Sequence, residues 1–142
     1  MTTSDESALI ALSMEYADAV RAKDEARWAA TWTDDARWVL SEGREVAGRE
    51  AIVAMWTASL SKYQTVIQVY SACSFDVDGD TASGRCEFQE LNVVADGSRR
   101  TLAGHYTDTY RRTPDGWRFT SRQLTKYYQG PPDLTGDFAT PD

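Results

Sequence analysis

The stretch "GHYTDTYRR", residues 104–112, holds the single histidine of this 142-residue chain, His105, beside Tyr106, Asp108 and Tyr110. Imidazole, phenol and carboxylate are groups that move protons in cofactor-free chemistry. On a β-strand, successive side chains point to opposite faces. Tyr106, Asp108 and Tyr110 then share one face, and His105 and Thr107 share the other. If Tyr106 points inward, His105 points away and reads as structural or interfacial, which leaves Tyr106 and Asp108 as the candidate acid–base groups. The same alternation puts Cys86, Phe88 and Glu90 on one face of a second run and Arg122, Leu124 and Lys126 on one face of a third. Arg122 is a planar, always-charged partner of the kind that makes a carboxylate tolerable away from water. A phenol can donate to a developing oxyanion, and Gln68 and Glu90 can position a substrate oxygen. The plain alternative is that Asp108–Arg122 is an ordinary cross-strand pair and that tyrosines simply favour sheets. Cys86 has no histidine placed to activate it as a nucleophile.

The elements that must position these groups fall into a helical front and a stranded back. Ser4 or Asp5 can cap a first helix, along which Leu9, Leu12, Tyr16, Ala19 and Val20 recur at helical spacing. Tyr16 lies on that stripe and reads as core. Asp24 starts a short second helix with Trp28 and Trp32 one turn apart, and "TDDA" breaks it. "RWVLS" and "EVAG" read as a pair of short strands. A third helix carries Ile52, Trp56 and Leu60 at i, i+4 and i+8. Beyond Lys62, four β-rich runs are separated by "DGD", "ADGS" and "TPDG". Asp-Gly between such runs is a strong hairpin signal, because glycine tolerates positive φ. The chain thus predicts an α+β domain with three N-terminal helices on a curved antiparallel meander. The Pro- and Gly-rich segment 128–142 reads as an irregular tail.

Composition narrows the function. A net charge of −7 argues against nucleic acid and against anionic membrane surfaces, both of which need concentrated Lys and Arg. No apolar run approaches the roughly 20 residues that cross a bilayer, and the acidic N-terminus is unlike a signal peptide; the expectation is a cytoplasmic protein. Cys73 and Cys86 are too few for a disulfide framework. With one histidine and two scattered cysteines, neither a nitrogen nor a sulfur metal site is expected, and no nucleotide or cofactor motif is present.

"YADAVRAKDEARWAATWTDDARWVL", "GREAI", "VDGDTA" and "YRRTPDGWRFTSRQL" together resemble the SnoaL-like branch of the nuclear transport factor 2-like superfamily, over about residues 8–127. The resemblance implies one domain over 1–142, a cone-shaped α+β barrel, a small apolar molecule inside it, and a homo-oligomer, often a dimer. Relatives include ketosteroid isomerase, scytalone dehydratase, limonene-epoxide hydrolase and polyketide cyclases; others only bind or scaffold. The relatives' reactive positions fall near Val20, Leu40, Gln68, Cys86 and Tyr106, and none keeps its family residue. The resemblance further implies that the faces bearing Cys86, Phe88 and Glu90 and bearing Arg122 and Leu124 line the pocket, with Tyr110 and with Trp56 on its wall.

Two readings follow. In one, the protein is a cofactor-independent lyase, dehydratase, isomerase or cyclase acting on a small apolar or aromatic oxygenated molecule. Tyr106 is the acid or oxyanion donor, Asp108 the base or the group that orients Tyr106, and Arg122 the charge anchor. On this reading Tyr106→Phe and Asp108→Asn abolish turnover and leave folding intact. In the other, the domain binds a ligand or scaffolds a dimer without turnover. A third possibility, the small subunit of a ring-hydroxylating dioxygenase, is less favoured, since those subunits are typically longer.

Overall fold

The computed structural model describes residues 2–141; Met1 and Asp142, the ends of the expected domain, lie outside the described residues. The chain runs α1 (Thr2–Ala22), α2 (Glu25–Ala29), β1 (Trp32–Val39), a 3-10 turn (Ser41–Gly43), β2 (Glu45–Ala47), α3 (Arg49–Leu60), β3 (Tyr63–Asp78), β4 (Thr81–Val94), β5 (Arg99–Thr113), β6 (Gly116–Gly130) and β7 (Asp137–Phe138). The expected apolar stripes are the ones that pack. Leu9, Leu12, Tyr16, Ala19 and Val20 of α1 and Ile52, Trp56 and Leu60 of α3 are all buried. Asp24 caps α2, its carboxylate accepting from the Arg27 backbone N–H. Ser4 and Asp5 do not cap α1, which starts earlier; Asp5 instead accepts from Arg112 and from the Trp117 indole.

Trp28 and Trp32 do not share a helix. The second helix ends at Ala29 and Trp32 opens β1, so "TDDA" lies within that strand. The indoles still meet: Trp28 stacks on Trp56 with ring centroids 4.5 Å apart and lies edge-on to Trp32 and Trp38. This aromatic block joins the helices to the sheet.

The sheet order is β2-β1-β6-β5-β4-β3, with β7 attached to β6. The three Asp-Gly turns give the antiparallel meander β3 to β6. Contrary to the all-antiparallel expectation, β1 pairs with β6 in parallel, so the sheet is mixed. It is also not a closed barrel, since β2 and β3 are its unpaired edges. The segment 128–142 is not irregular throughout: β6 continues to Gly130, and β7 folds back onto it, pairing Phe138 with Tyr128. The Tyr128 hydroxyl ties this return by donating to the Pro131 carbonyl at 2.6 Å and accepting the Gly136 N–H at 2.9 Å.

Two irregularities decide which side chains face inward. An extra residue in β3, between Tyr70 and Ala72, shifts the inward set from Val66, Gln68 and Tyr70 to Cys73, Phe75 and Val77. A second in β6, at Thr120, lets both Phe119 and Arg122 point inward. Between the Gly79–Asp80 turn and the β3 irregularity the register is unbroken, so Cys73 lies directly opposite Cys86, with Cα atoms 4.2 Å apart, and the two form a disulfide. Two cysteines, too few for a disulfide framework, thus still make one bridge. No helix among the described residues is long and apolar enough to cross a membrane.

Candidate functional site

The concave face of the sheet, α1 and α3 enclose a cavity of about 270 Å³. Its deep wall is aromatic and aliphatic: Trp38, Trp56, Phe88, Tyr16 and Val20 are all buried. Leu40 and Leu124 also line it. Exposed Arg44 and partly exposed Ser59, Tyr63 and Gln129 mark its open end. The polar groups inside converge on the sheet wall, where Gln68 of β3, Glu90 of β4 and Tyr106 of β5 lie on adjacent strands.

Glu90 sits directly opposite Gln68 in the β3–β4 register. Its Oε1 accepts from Gln68 Nε2 at 3.1 Å and its Oε2 from Asn92 Nδ2 at 3.1 Å. Burial pushes the Glu90 carboxyl above its ordinary range, and the two amide donors oppose that shift without cancelling it. Tyr106 stacks on Phe88 with centroids 4.3 Å apart, and its hydroxyl receives a long contact of 3.5 Å from Gln68 Nε2. Burial drives the Tyr106 phenol well above its usual value, against the attraction of Arg122. It therefore stays protonated, a donor facing a mostly apolar chamber.

Asp108 and Arg122 pair directly across β5 and β6, both with side chains 0% exposed. Arg122 Nε and Nη2 donate to Asp108 Oδ1 and Oδ2 at 2.9 and 3.0 Å, and the Tyr110 hydroxyl adds a bond to Oδ2 at 2.9 Å. The guanidinium carbon lies 3.9 Å from the Tyr106 ring centroid, 4.3 Å from Phe119 and 4.6 Å from Tyr16. A cation held against ring faces in this way is stabilised by their quadrupoles. Burial opposes the charge on Arg122, and the Asp108 carboxylate overcomes it, so the guanidinium is held more firmly protonated than usual.

Tyr106, Asp108 and Arg122 are thus brought together, but only Tyr106 reaches the cavity. Asp108 and Arg122 lie beneath its floor, and the Asp108 oxygens are already taken. Tyr110 is buried with them and does not line the cavity, and Cys86 is turned into the disulfide, with the Ser13 hydroxyl 3.9 Å from its sulfur. Val20, Leu40, Trp56, Gln68, Phe88, Glu90 and Leu124 do line it. Reading from sequence missed Asn92, whose spacing from Glu90 on one strand face is a usable signal, and Tyr70, which shares the face of Gln68 two residues along β3. His105 lies on the outer face, its Nδ1 2.6 Å from the Tyr127 hydroxyl, which in turn donates to Glu87 at 2.7 Å. Since the phenol proton is spent on Glu87, His105 Nδ1 is the donor. Among the described residues no three His, Cys, Asp or Glu side chains are clustered to hold a metal ion.

The profile of the SnoaL-like domain matches residues 1–123. The chain belongs to the SnoaL-like family. Uncharacterised proteins of Mycobacterium tuberculosis and Mycobacterium bovis are 34% identical to it over 88 residues; each match covers 59% of this chain and 59% of the relative's length. Among solved structures, a Novosphingobium aromaticivorans protein assigned as an aromatic ring hydroxylase superposes with a TM-score of 0.85 and 26% identity, covering 90% of this chain and 93% of that one. LinA, a hexachlorocyclohexane dehydrochlorinase, superposes with a TM-score of 0.84 at 24% identity, over 99% and 97% of the two chains. A protein assigned as a scytalone dehydratase, also from Novosphingobium aromaticivorans, gives 0.86 at 18% identity, over 99% and 94%. The latter two likenesses establish the cone-shaped α+β fold of this SnoaL-like domain.

Proposed function

We propose that this SnoaL-like domain is a cofactor-independent lyase that eliminates a small leaving group from a compact cyclic molecule, with Glu90 as base and Tyr106 as hydrogen-bond donor. The observation that carries this is the convergence of a carboxylate and a phenol on one wall of a chamber whose deep end is aromatic and aliphatic. The Glu90 carboxylate takes a proton from carbon, the C–H electrons form the new double bond, and the bond to the leaving group breaks with its electrons on that group. Tyr106 O–H donates to the oxygen or halogen as negative charge builds there. A base whose pKa is raised toward the working pH is better matched to a carbon acid than an exposed carboxylate. A chamber of about 270 Å³ suits a single substituted ring. The names carried by two structural neighbours, dehydrochlorinase and dehydratase, both denote eliminations.

Asp108 is not the base in this reading, because Arg122 and Tyr110 occupy its oxygens below the cavity floor. Arg122 anchors the aromatic floor rather than the substrate. The test is a panel of hydroxylated and halogenated cyclohexane and cyclohexanone derivatives, assayed for release of halide or for alkene absorbance. Glu90→Gln and Tyr106→Phe are each expected to lower turnover by about 10²–10⁴-fold. Binding of panel members with no product from the wild-type protein would instead support a ligand-binding module.

A further inference from the structure

We infer that Tyr70 and the buried Arg122–Asp108 pair are positioning residues: they fix which way the Gln68 amide points and thereby favour Glu90 as an ionised proton acceptor. The consequence for catalysis rests on the reading of Glu90 as base, whereas the hydrogen-bond geometry stands without it.

Arginine has donors only. Arg122 Nη1 lies 2.9 Å from the Tyr70 hydroxyl, so that oxygen accepts there. Tyr70 in turn donates to Gln68 Oε1 at 3.1 Å. An amide has one acceptor end and one donor end. With Oε1 committed to Tyr70, the Gln68 Nε2 group must face Glu90 Oε1 at 3.1 Å and Tyr106 Oη at 3.5 Å. Asn92 Nδ2 covers Glu90 Oε2. Both carboxylate oxygens then meet N–H donors, and Gln68, the amide whose other end is tied, offers no acceptor to a carboxyl proton at Glu90 Oε1. Reversing Gln68 would point its N–H at an oxygen already receiving Arg122 and leave the Tyr70 proton without a partner, a costly loss for a group away from water. Arg122 cannot turn to accommodate this. Its other nitrogens are tied to Asp108, and the Tyr106 and Phe119 rings lie against it. The chain Arg122–Tyr70–Gln68–Glu90 is therefore directional, and its direction opposes the effect of burial on the carboxyl. The other titratable groups sharing the cavity with Glu90 are Tyr106 from β5, Tyr16 from α1, Tyr63 from β3 and Arg44 at the mouth. Burial keeps Tyr16 and Tyr106 as neutral phenols.

The test is a carbon-13 NMR titration of the Glu side-chain carboxyls in the ligand-free protein, with the Glu90 signal assigned by its loss in Glu90→Gln. Tyr70→Phe is expected to raise the Glu90 midpoint by about 0.5–1 pH unit. Gln68→Met should raise it at least as far, and adding Tyr70→Phe to Gln68→Met should change nothing more, because Tyr70 acts through Gln68. An unchanged midpoint in Tyr70→Phe, or a further rise in the double variant, overturns the inference. A measurement on the wild-type protein needs no variant: the Gln68 amide protons should show nuclear Overhauser contacts to the Tyr106 ring and not to Tyr70. The opposite pattern means the amide is reversed and the inference wrong. Failure of the base assignment is separately visible, as turnover retained in Glu90→Gln beside an intact midpoint shift in Tyr70→Phe.

Discussion

Asp108→Asn looks from sequence like a clean removal of a base; the structure makes it a removal of the counter-charge paired with a buried cation. Asp108 is 1% exposed and Arg122 0%, with bonds of 2.9 and 3.0 Å between them and a third at 2.9 Å from Tyr110. An asparagine keeps one acceptor oxygen but turns an NH₂ toward a guanidinium that can only donate. Breaking a buried pair from one side costs ~3–5 kcal/mol, because the remaining charge is stranded. For a chain of this size that is a fall in Tm of roughly 10–20 °C, and a large part of a total stability of about 5–15 kcal/mol. Urea unfolding followed by tryptophan fluorescence measures it, with an unchanged m-value showing that the same structure is being lost. The paired replacement Asp108→Leu/Arg122→Met should cost less than Asp108→Asn alone, since it strands no charge. A loss below about 1 kcal/mol in Asp108→Asn would match a solvent-screened surface pair and refute the account of this one.

Three further outcomes are expected. Glu90 has a raised folded-state pKa, so its contribution to stability is fully present below its unfolded value and is lost as pH rises through the folded one; wild-type stability relative to Glu90→Gln should fall across that window in denaturant titrations at stepped pH, and a pH-independent difference would contradict it. The Cys73–Cys86 disulfide closes a sequence separation of 13, so Cys73→Ser should lose ~3 kcal/mol, and thiol titration of the unfolded, unreduced protein should find no free sulfhydryl; two free thiols would show the pair open. A methyl at Gly104 would collide with the Thr125 carbonyl oxygen and press on Lys126 Cα at 3.3 Å. Both are backbone atoms, so Gly104→Ala should destabilise by about 1–3 kcal/mol on the same unfolding assay, and wild-type stability would show that the β5–β6 pairing gives way at its register shift between Ala103 and Gly104.

What the sequence could reveal depended on the range over which each feature is determined. The hairpins were legible because Asp-Gly turns are set by a few adjacent residues, and the facing sets on β4 and β5 because alternation runs unbroken through Cys86–Phe88–Glu90 and Tyr106–Asp108–Tyr110. The disulfide was legible in principle: Cys73 and Cys86 each lie six residues outside the Gly79–Asp80 turn, which places them opposite each other in a regular hairpin. Counting outward from the turn would have paired them, whereas counting cysteines alone did not. The irregularity between Tyr70 and Ala72 leaves no comparable mark, and it reverses the facing of everything beyond it in β3. That single shift allows Gln68 and Tyr70 to face inward while Cys73 also does. Alternation tells which face a side chain occupies but not how deep it lies. Asp108 and Tyr106 share a face, yet one ends under the floor against Arg122 and the other ends in the chamber. Depth is set by the curvature of the sheet and by what α1 lays over it, with Tyr16 packed against Tyr106 at 6.3 Å. Those are long-range facts. The carboxylate proposed as base is therefore the one on the less deeply covered strand position, held by neutral amides, while the one paired with a cation is buried beneath it.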